Sequence, residues 1–256
     1  MVFVLIRVGC CGWAVKGGKD AYFHTFDLIE LQSTFYKLPR IETASRWRMI
    51  APRNFVYTLK AWQVITHPYT SPTWRKAGIK MDSSKAKHYG FLKPTSENFE
   101  AWMKTLSICK VLDARICVFQ TPASFKFSDE HVKWVYRFFN HIVQDDVLLG
   151  WEPRGNWNKH LDVVREICRS FDIIHVVDVF RRDPVSDSPV IYIRLHGIGA
   201  GEVNYKYKYT DDDLKFLLGK VKGFVEAGFK EIYILFNNVF MADDALRFKK
   251  LLERSL

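Results

Sequence analysis

The sequence predicts an α/β fold, a single (β/α)8 barrel of the TIM type that spans residues 1–256. Three observations predict it. The chain has 256 residues, and one such barrel uses about 250. Short apolar runs recur eight times and alternate with segments that carry helix signals. The third observation is that no internal repeat, low-complexity tract or long linker divides the chain.

The predicted strands are short and rich in β-branched and aromatic residues. Several are almost continuously apolar, which is typical of parallel strands that are covered on both faces. In chain order they are VLIRVG (4–9), DLIELQ (27–32), FVYTLKA (55–61), ARICVFQ (114–120), VLLGWEP (147–153), IIHVVD (173–178), VIYIRLHG (190–197) and EIYILFNN (231–238).

Helix signals lie between the strands. Ser128 can cap a helix with acidic residues in its first turn, and Ser96 stands in a similar position before an apolar run. Thr210 with Asp213 resembles a capping box, and that helix should end near Gly228. Strand followed by helix, repeated along the chain, predicts right-handed parallel crossovers.

Two intervals depart from this pattern. Residues 179–189 are too few and too rich in proline for a full helix, so we expect an irregular crossover there. Residues 62–93 are long and rich in turn formers, which makes them a candidate lid or wall over a site. The last helix should run from about residue 242 to the end of the chain.

Composition limits the class of protein. The formal net charge is +10, which favours a small anionic substrate and leaves nucleic acid open as a partner. No apolar run is long enough for a membrane span, and the first residues lack the features of a signal peptide, so we expect a cytoplasmic protein without a membrane partner. Five cysteines without CxxC spacing indicate free thiols. The sequence does not indicate the oligomeric state.

Strand parity predicts which side chains face the barrel interior. In the seventh strand Tyr192, Arg194 and His196 form the polar row, which should point inward toward the carboxyl end, where barrel active sites form. The same test on the other strands predicts further inward polar groups at Glu30, Gln32, Lys60, Gln120, Glu152, Arg154, Asp178 and Asn237.

The predicted catalytic residues come from this set. Glu152 is the first choice for a general base or nucleophile, Asp178 for a second carboxylate, and His196 for a proton carrier. Lys60 could contact phosphate, stabilise negative charge or form a Schiff base, and Glu30 completes the set. The alternatives are structural, since Asp178 could cap a loop and His196 could be a core histidine. The charged groups could also pair, Glu30 or Glu152 with Lys60 or Arg194, and merely fill the barrel.

The predicted substrate-binding residues surround the same end. Arg154 and Arg194 could hold an anion, and His67 lies on the loop after the third strand. Tyr205 begins a stretch, residues 205–209, in which tyrosine and lysine alternate and could stack bases or sugars. The set is Arg154, Arg194, Gln120, Asn237, His67, Trp13, Tyr36 and Tyr205.

The sequence leaves the cofactor unknown. A divalent metal held by residues such as Glu30, Glu152 and His196 is possible but not favoured, because HxH and HExxH spacings are missing. The sequence also lacks a complete dinucleotide fingerprint and a Walker loop.

A series of motifs resembles the YecE-like family, the domain of unknown function numbered seventy-two. In order, they are GCCGW (9–13), ELQSTFYKLP (30–39), FVYTLKA (55–61) with ITH (65–67), FQTPASF (119–125), EPRGNW (152–157), Asp178, RLHG (194–197) and FNN (236–238). The resemblance implies a TIM-type barrel without an established activity. The sequence departs from the family at Cys10 and Cys11, in a shortened segment before Glu30, and at Pro153.

Three functions remain open. The first is an enzyme of hydrolase, lyase or isomerase type that acts on a phosphorylated or otherwise anionic substrate at the carboxyl end of the barrel. The second is a protein that binds or processes nucleic acid, and the third is a noncatalytic sensor of a small ligand. The fold cannot select among them, because this barrel hosts many chemistries.

Overall fold

The computed structural model describes residues 4–79 and 82–255, and within them eight parallel strands form one sheet. The strands are β1 (Leu5–Cys10), β2 (Leu28–Leu31), β3 (Val56–Lys60), β4 (Ala114–Gln120), β5 (Leu148–Glu152), β6 (Ile174–His175), β7 (Val190–Leu195) and β8 (Glu231–Phe236). Their order in the sheet is β6-β5-β4-β3-β2-β1-β8-β7. Val177, just after β6, bridges to Ile193 of β7 and brings the two edges together. The predicted barrel is confirmed.

Helices follow the strands in chain order. They are α1 (Gly18–Thr25), α2 (Ser33–Tyr36), α3 (Ile41–Ile50), α4 (Gln63–Thr66), α5 (Pro72–Lys76), α6 (Ser83–Ala86), α7 (Ser96–Leu112), α8 (Asp129–His141), α9 (Leu161–Phe171), α10 (Asp211–Glu226) and α11 (Met241–Glu253), with a 3₁₀ helix at Gly155–Lys159. Residues 179–189 contain no helix, as predicted for the crossover before β7. The 62–93 segment contains α4, α5 and α6, and its Lys80 and Met81 lie outside the described residues.

Two of the predicted caps are confirmed. The Ser128 side chain accepts a hydrogen bond from His131 N and begins α8, and Thr210 forms a capping box with Asp213 at the start of α10. The helix start predicted at Ser96 is wrong by one residue. Thr95 has the extended backbone of a cap and accepts from Asn98 N, while Ser96 is already helical.

Strand parity separates two apolar layers. Ile191, Ile193 and Leu195 of β7 belong to the large layer between the strands and the helices. Tyr192 belongs to a smaller layer inside the barrel, together with Cys11, Leu28, Ile116, Val118, Ile174, Val176, Val190, Tyr233 and Leu235. The predicted direction of the seventh strand is therefore confirmed. The polar groups of the candidate site lie above this inner layer, toward the carboxyl ends of the strands.

Candidate active site at the carboxyl end of the barrel

Arg194 is the central charged group of the barrel interior, and its side chain is fully buried. Its Nη2 lies 3.0 Å from Glu30 Oε1 as an ion pair. Its Nη1 contacts Glu152 Oε2 and donates to Gln120 Oε1 at 3.3 Å. Burial opposes the charged form, but Glu152 and Glu30 raise the pKa of Arg194 well above its usual range. One guanidinium therefore joins residues from β2, β4, β5 and β7.

Glu30 is held on both of its oxygens. Tyr192 donates its hydroxyl proton to Glu30 Oε2 at 2.9 Å, and Gln32 Nε2 donates to Oε1. The Tyr192 hydroxyl also lies 2.6 Å from Thr58 Oγ1. Glu30 is fully buried, so these contacts offset the cost of removing a carboxylate from water. Cys11 lies beside Glu30 and Arg194, and burial raises the pKa of its thiol.

Glu152 is contacted by two arginines, one at each carboxylate oxygen. Arg154 Nε donates to Glu152 Oε1 at 2.8 Å, and Arg194 Nη1 contacts Oε2. Burial alone would raise the pKa of Glu152, but the guanidinium groups of Arg154 and Arg194 together lower it below the ordinary range. A carboxylate held in this way is a weak base, and it fixes the direction of both arginines.

His196 and Asp178 form the next part of the cluster. Arg154 Nη2 lies 3.0 Å from His196 Nε2, and because a guanidinium can only donate, Nε2 must accept. Burial lowers the pKa of His196, so the ring is neutral near pH 7. Asp178 Oδ2 accepts from His196 N at 3.0 Å, and Asp178 Oδ1 accepts from Phe180 N at 3.1 Å. Asp178 thus links the loop after β6 to the loop after β7.

The turn after His196 requires a glycine. Gly197 has a φ of +81°, and a Cβ there would lie 2.1 Å from Asn204 O. The tight turn brings residues 204–209 back over the end of β7, where Gly197 N donates to the buried Tyr209 hydroxyl at 2.8 Å.

Lys60 is the exception in this network. It lies at the end of β3 with only 7% of its surface exposed, and its Nζ is 3.8 Å from the centre of the Phe35 ring. Its Nζ has no hydrogen bond or ion pair to any side chain in residues 4–79 and 82–255. Burial, followed by the charges of Arg194 and Arg154, lowers the pKa of Lys60 to about 7, although Glu152 and Glu30 oppose this.

His67 lies on the same side of the barrel mouth as Lys60. Its ring packs edge-on against Phe35 with the centroids 4.8 Å apart, and its Nδ1 is 2.9 Å from Thr66 Oγ1. Burial, then the charges of Lys60 and Arg154, lower the pKa of His67 to about 3. His67 is therefore a neutral imidazole next to an amine that titrates near neutrality.

The remaining predicted residues lie at the rim or outside it. The Tyr205 side chain is exposed, with its ring centroid 6.2 Å from that of His196. Asn237 is half-buried and donates its backbone N–H to Leu195 O. Tyr36 is half-buried next to Phe35, with Lys76 Nζ 5.5 Å from its ring centre. Trp13 packs edge-on against Tyr22 of α1, in the helix layer, so the structure does not bring it to the cluster.

Several side chains of the tyrosine and lysine stretch at 205–209 are bonded or buried within the protein. The Tyr207 hydroxyl donates to Asp213 Oδ2 at 2.7 Å, and Tyr209 is buried. Lys208 pairs with Asp243 at 2.9 Å. Of the three tyrosines, Tyr205 alone has the exposed ring that base stacking requires.

Some residues near the cluster were not predicted. Arg181 and Arg182, from the irregular crossover, extend toward Asp178 and Glu202; Arg181 Nη2 donates to Gly197 O at 2.9 Å, and Arg182 Nη2 lies 3.8 Å from Glu202 Oε1. Their only signal in the sequence is their position three and four residues after Asp178. Phe35 was also missed, although it lies in the ELQSTFYKLP motif.

Across the described ranges 4–79 and 82–255, no group of three or more His, Cys, Asp or Glu side chains is placed to hold a metal ion. Among the helices in those ranges, none combines the length and apolarity that crossing a membrane requires.

Comparison with known proteins gives a family and a fold. A family model described as "Protein of unknown function DUF72" matches residues 7–256. A DUF72 family protein from Enterococcus faecalis V583 superimposes with a TM-score of 0.72 at 18% identity, covering 98% of this chain and 97% of that one. One from Thermotoga maritima MSB8 gives a TM-score of 0.69 at 22% identity, with 97% and 99% covered.

The barrel is also similar to a protein with a described activity. Endonuclease IV from Thermus thermophilus superimposes with a TM-score of 0.55 at 12% identity, covering 97% of this chain and 100% of that one. Identity at this level shows a shared fold alone. No curated protein sequence matches the chain.

Proposed function

The chain belongs to the DUF72 family, whose description names no activity, and we propose that it is an enzyme acting on a small phosphorylated or otherwise anionic substrate at the carboxyl end of its barrel. The observation that carries the proposal is Lys60, a buried amine that is placed among arginines and has no counter-ion among the described residues. Leaving a buried cation unpaired costs stability. Groups with such perturbed pKa values cluster at functional sites, which supports a chemical role for this one.

Arg154 is the residue best placed to hold the anion. Its side chain keeps 14% of its surface exposed, while Glu152 and His196 fix its direction. An anion that enters the mouth meets this guanidinium and the Lys60 amine in a poorly hydrated setting, where charge interactions are strong. Arg194 already forms ion pairs with two carboxylates, and we assign it to orienting Glu152.

Proton transfer is assigned to Lys60, with His196 as a second candidate. A catalytic acid or base works best when its pKa lies near the working pH, and the pKa of Lys60 is about 7. Glu152 and Asp178 serve as positioning residues in this proposal, because each already accepts from two or more donors. Reaction classes that fit include hydrolysis, elimination and isomerisation.

A mixture of phosphorylated metabolites, followed by phosphorus NMR and mass spectrometry, tests for turnover. We expect the wild-type protein to convert at least one component, and Lys60→Met and Arg154→Met to abolish that conversion. Lys215→Met is the matched control, since Lys215 pairs with Asp212 on the exposed face of α10. Conversion by Lys60→Met at the wild-type rate contradicts the proposal. Binding without any conversion supports the sensor alternative instead.

The pH dependence of sulfate binding tests the site without a known substrate. Sulfate stays fully ionised between about pH 5.5 and 8.5, whereas Lys60, with a pKa of about 7, loses its charge in that range. Because an anion binds the ammonium form, we expect the affinity measured by calorimetry to fall about tenfold as the pH rises through 7. Lys60→Arg stays charged and should show no such fall. A fall of equal size in Lys60→Arg contradicts the assignment.

Nucleic acid is the second candidate ligand, and the exposed Tyr205 ring above His196 is the observation that favours it. A single-stranded oligonucleotide should then bind with an affinity that falls steeply with salt, and Tyr205→Ala should weaken it. Oligonucleotide binding unaffected by Tyr205→Ala leaves this candidate without support.

A further inference from the structure

Lys60 differs from the paired lysines of this protein. Lys110, Lys208, Lys215 and Lys220 each lie 2.8 to 3.0 Å from an aspartate oxygen. Lys60 instead contacts the face of Phe35, and both carboxylates nearby, Glu30 and Glu152, are taken by Arg194. The described side chains around Lys60 thus leave its amine without an acidic partner.

This arrangement is poorly suited to an amine that only holds charge. A permanent cation for an anionic group is already present in Arg154, which cannot lose its proton in a protein. An amine that is neutral for part of the time serves that role only while it is protonated. What the neutral form does add is a nitrogen lone pair, and a desolvated lysine beside other cations is the setting in which lysine becomes a nucleophile.

We propose that Lys60 Nζ forms an imine with a substrate that carries both an aldehyde or ketone and an anionic group held by Arg154. This inference rests on the function proposed above and names its substrate class. The Nζ lone pair attacks the carbonyl carbon and gives a carbinolamine. The carbinolamine then loses its hydroxyl and the remaining nitrogen-bound hydrogen as water, so that a C=N bond replaces the C=O bond.

The surroundings of Lys60 supply the other groups that this step needs. The proton that the carbinolamine nitrogen gives up is the one that the leaving hydroxyl needs, and the neutral His67 imidazole, which lies with Lys60 against the Phe35 ring, can pass it between the two atoms. Phe35 and His67 are buried, which limits the water that would hydrolyse the imine. The positive charges of Arg154 and Arg194 stay in place throughout, because their partner is the ionised Glu152.

Reductive trapping with borohydride tests the inference. Borohydride reduces an imine to a stable secondary amine, and peptide mass spectrometry then locates the modified lysine. The probes are dihydroxyacetone phosphate, glyoxylate, and dihydroxyacetone as an uncharged carbonyl. An amine with a pKa of about 7 is half neutral at neutral pH, against about 1 in 2,500 for an ordinary lysine. We expect Lys60 to be labelled at least ~100-fold more than any exposed lysine.

The variants separate the possible outcomes. Lys60→Arg, which keeps the charge and the fold, should lose the label, and Lys215→Met should retain it. Arg154→Met should reduce labelling by dihydroxyacetone phosphate but leave labelling by dihydroxyacetone unchanged. Label spread evenly over exposed lysines, or missing from Lys60 with all three probes, overturns the inference. Loss of trapping together with intact, pH-dependent sulfate binding would reject imine formation and leave the proposed anion site standing.

Discussion

At the scale of single residues, the cluster contains two kinds of charge. Arg194, Glu30 and Glu152 are buried and paired in charge with one another, so removing any one of them alone leaves an uncompensated buried charge. Lys60 is buried without such a partner in the described part of the chain. A protein selected only for stability would gain by replacing that lysine with an apolar residue. The contrast supports a structural role for the first group and a chemical role for Lys60.

Substitution of Glu152 tests the structural role. Glu152→Gln removes the charge that faces Arg194 and Arg154, and leaves a buried guanidinium with less compensation. We expect a loss of about 3 kcal/mol in the free energy of unfolding at neutral pH, because breaking one side of a buried ion pair is costly. Urea denaturation followed by circular dichroism measures this loss.

The pH dependence of that loss follows from the lowered pKa of Glu152. A carboxylate whose pKa is lower in the folded state stabilises the fold above its unfolded pKa, about 4.3, and loses that contribution as the pH falls toward the folded value. The difference in the free energy of unfolding between wild type and Glu152→Gln should therefore shrink below about pH 4.

The control variant is Asp145→Asn, which breaks the exposed pair with Lys110 and should lower the free energy of unfolding by less than about 1 kcal/mol. Equal losses in the two variants would contradict the network.

At the scale of helices and strands, periodicity and capping chemistry predicted most of the barrel. All eight strands were predicted, but β6 is shorter than its apolar run because the chain pairs with β5 only at Ile174 and His175. Parity also predicted the inward direction of Arg194. It could not predict which carboxylate each arginine would contact, because pairing depends on side-chain conformation. The positions of Arg181 and Arg182 were missed, because an irregular loop has no period.

The start of α7 shows a local limit of sequence reading and provides a test. Thr95 and Ser96 are adjacent residues of cap-forming type, and backbone conformation alone decides between them. Thr95 Oγ1 accepts from Asn98 N and donates to His88 O, while the Ser96 hydroxyl donates to Glu97 at the surface.

Thr95→Ala should therefore lower the free energy of unfolding by about 1 kcal/mol. Ser96→Ala is the matched control and should leave it within about 0.5 kcal/mol of wild type. Thermal unfolding of both variants gives the comparison. A larger loss for Ser96→Ala would place the cap at the residue that the sequence predicted.

At the scale of the whole molecule, the barrel closes through a short contact between the β6 edge and β7, which we call the seam. β7 and β8 pair along six residues, from Val190 to Leu195. The β6 edge joins β7 through Val177, whose N–H donates to Tyr192 O at 3.3 Å and whose carbonyl accepts from Arg194 N at 2.9 Å. The seam includes the backbone of Arg194 and lies next to Asp178, so its opening would loosen the candidate site.

Hydrogen exchange measured by NMR tests the seam. Local opening needs less free energy where fewer backbone hydrogen bonds must break. We therefore expect the Val177 amide to exchange at least about tenfold faster than the Ile234 amide, which lies in a strand paired on both sides. Equal protection at the two positions would show that the barrel opens only as a unit.

The contacts of Arg194 also limit how deep a ligand can enter the candidate site. The guanidinium and the two glutamates span the barrel from β2 to β5, with Tyr192 and Thr58 directly beneath them. Together they make a solid floor, and a ligand cannot descend past it. Under the proposed function, the reacting part of the substrate therefore stays on the outer side of Arg194, next to Lys60.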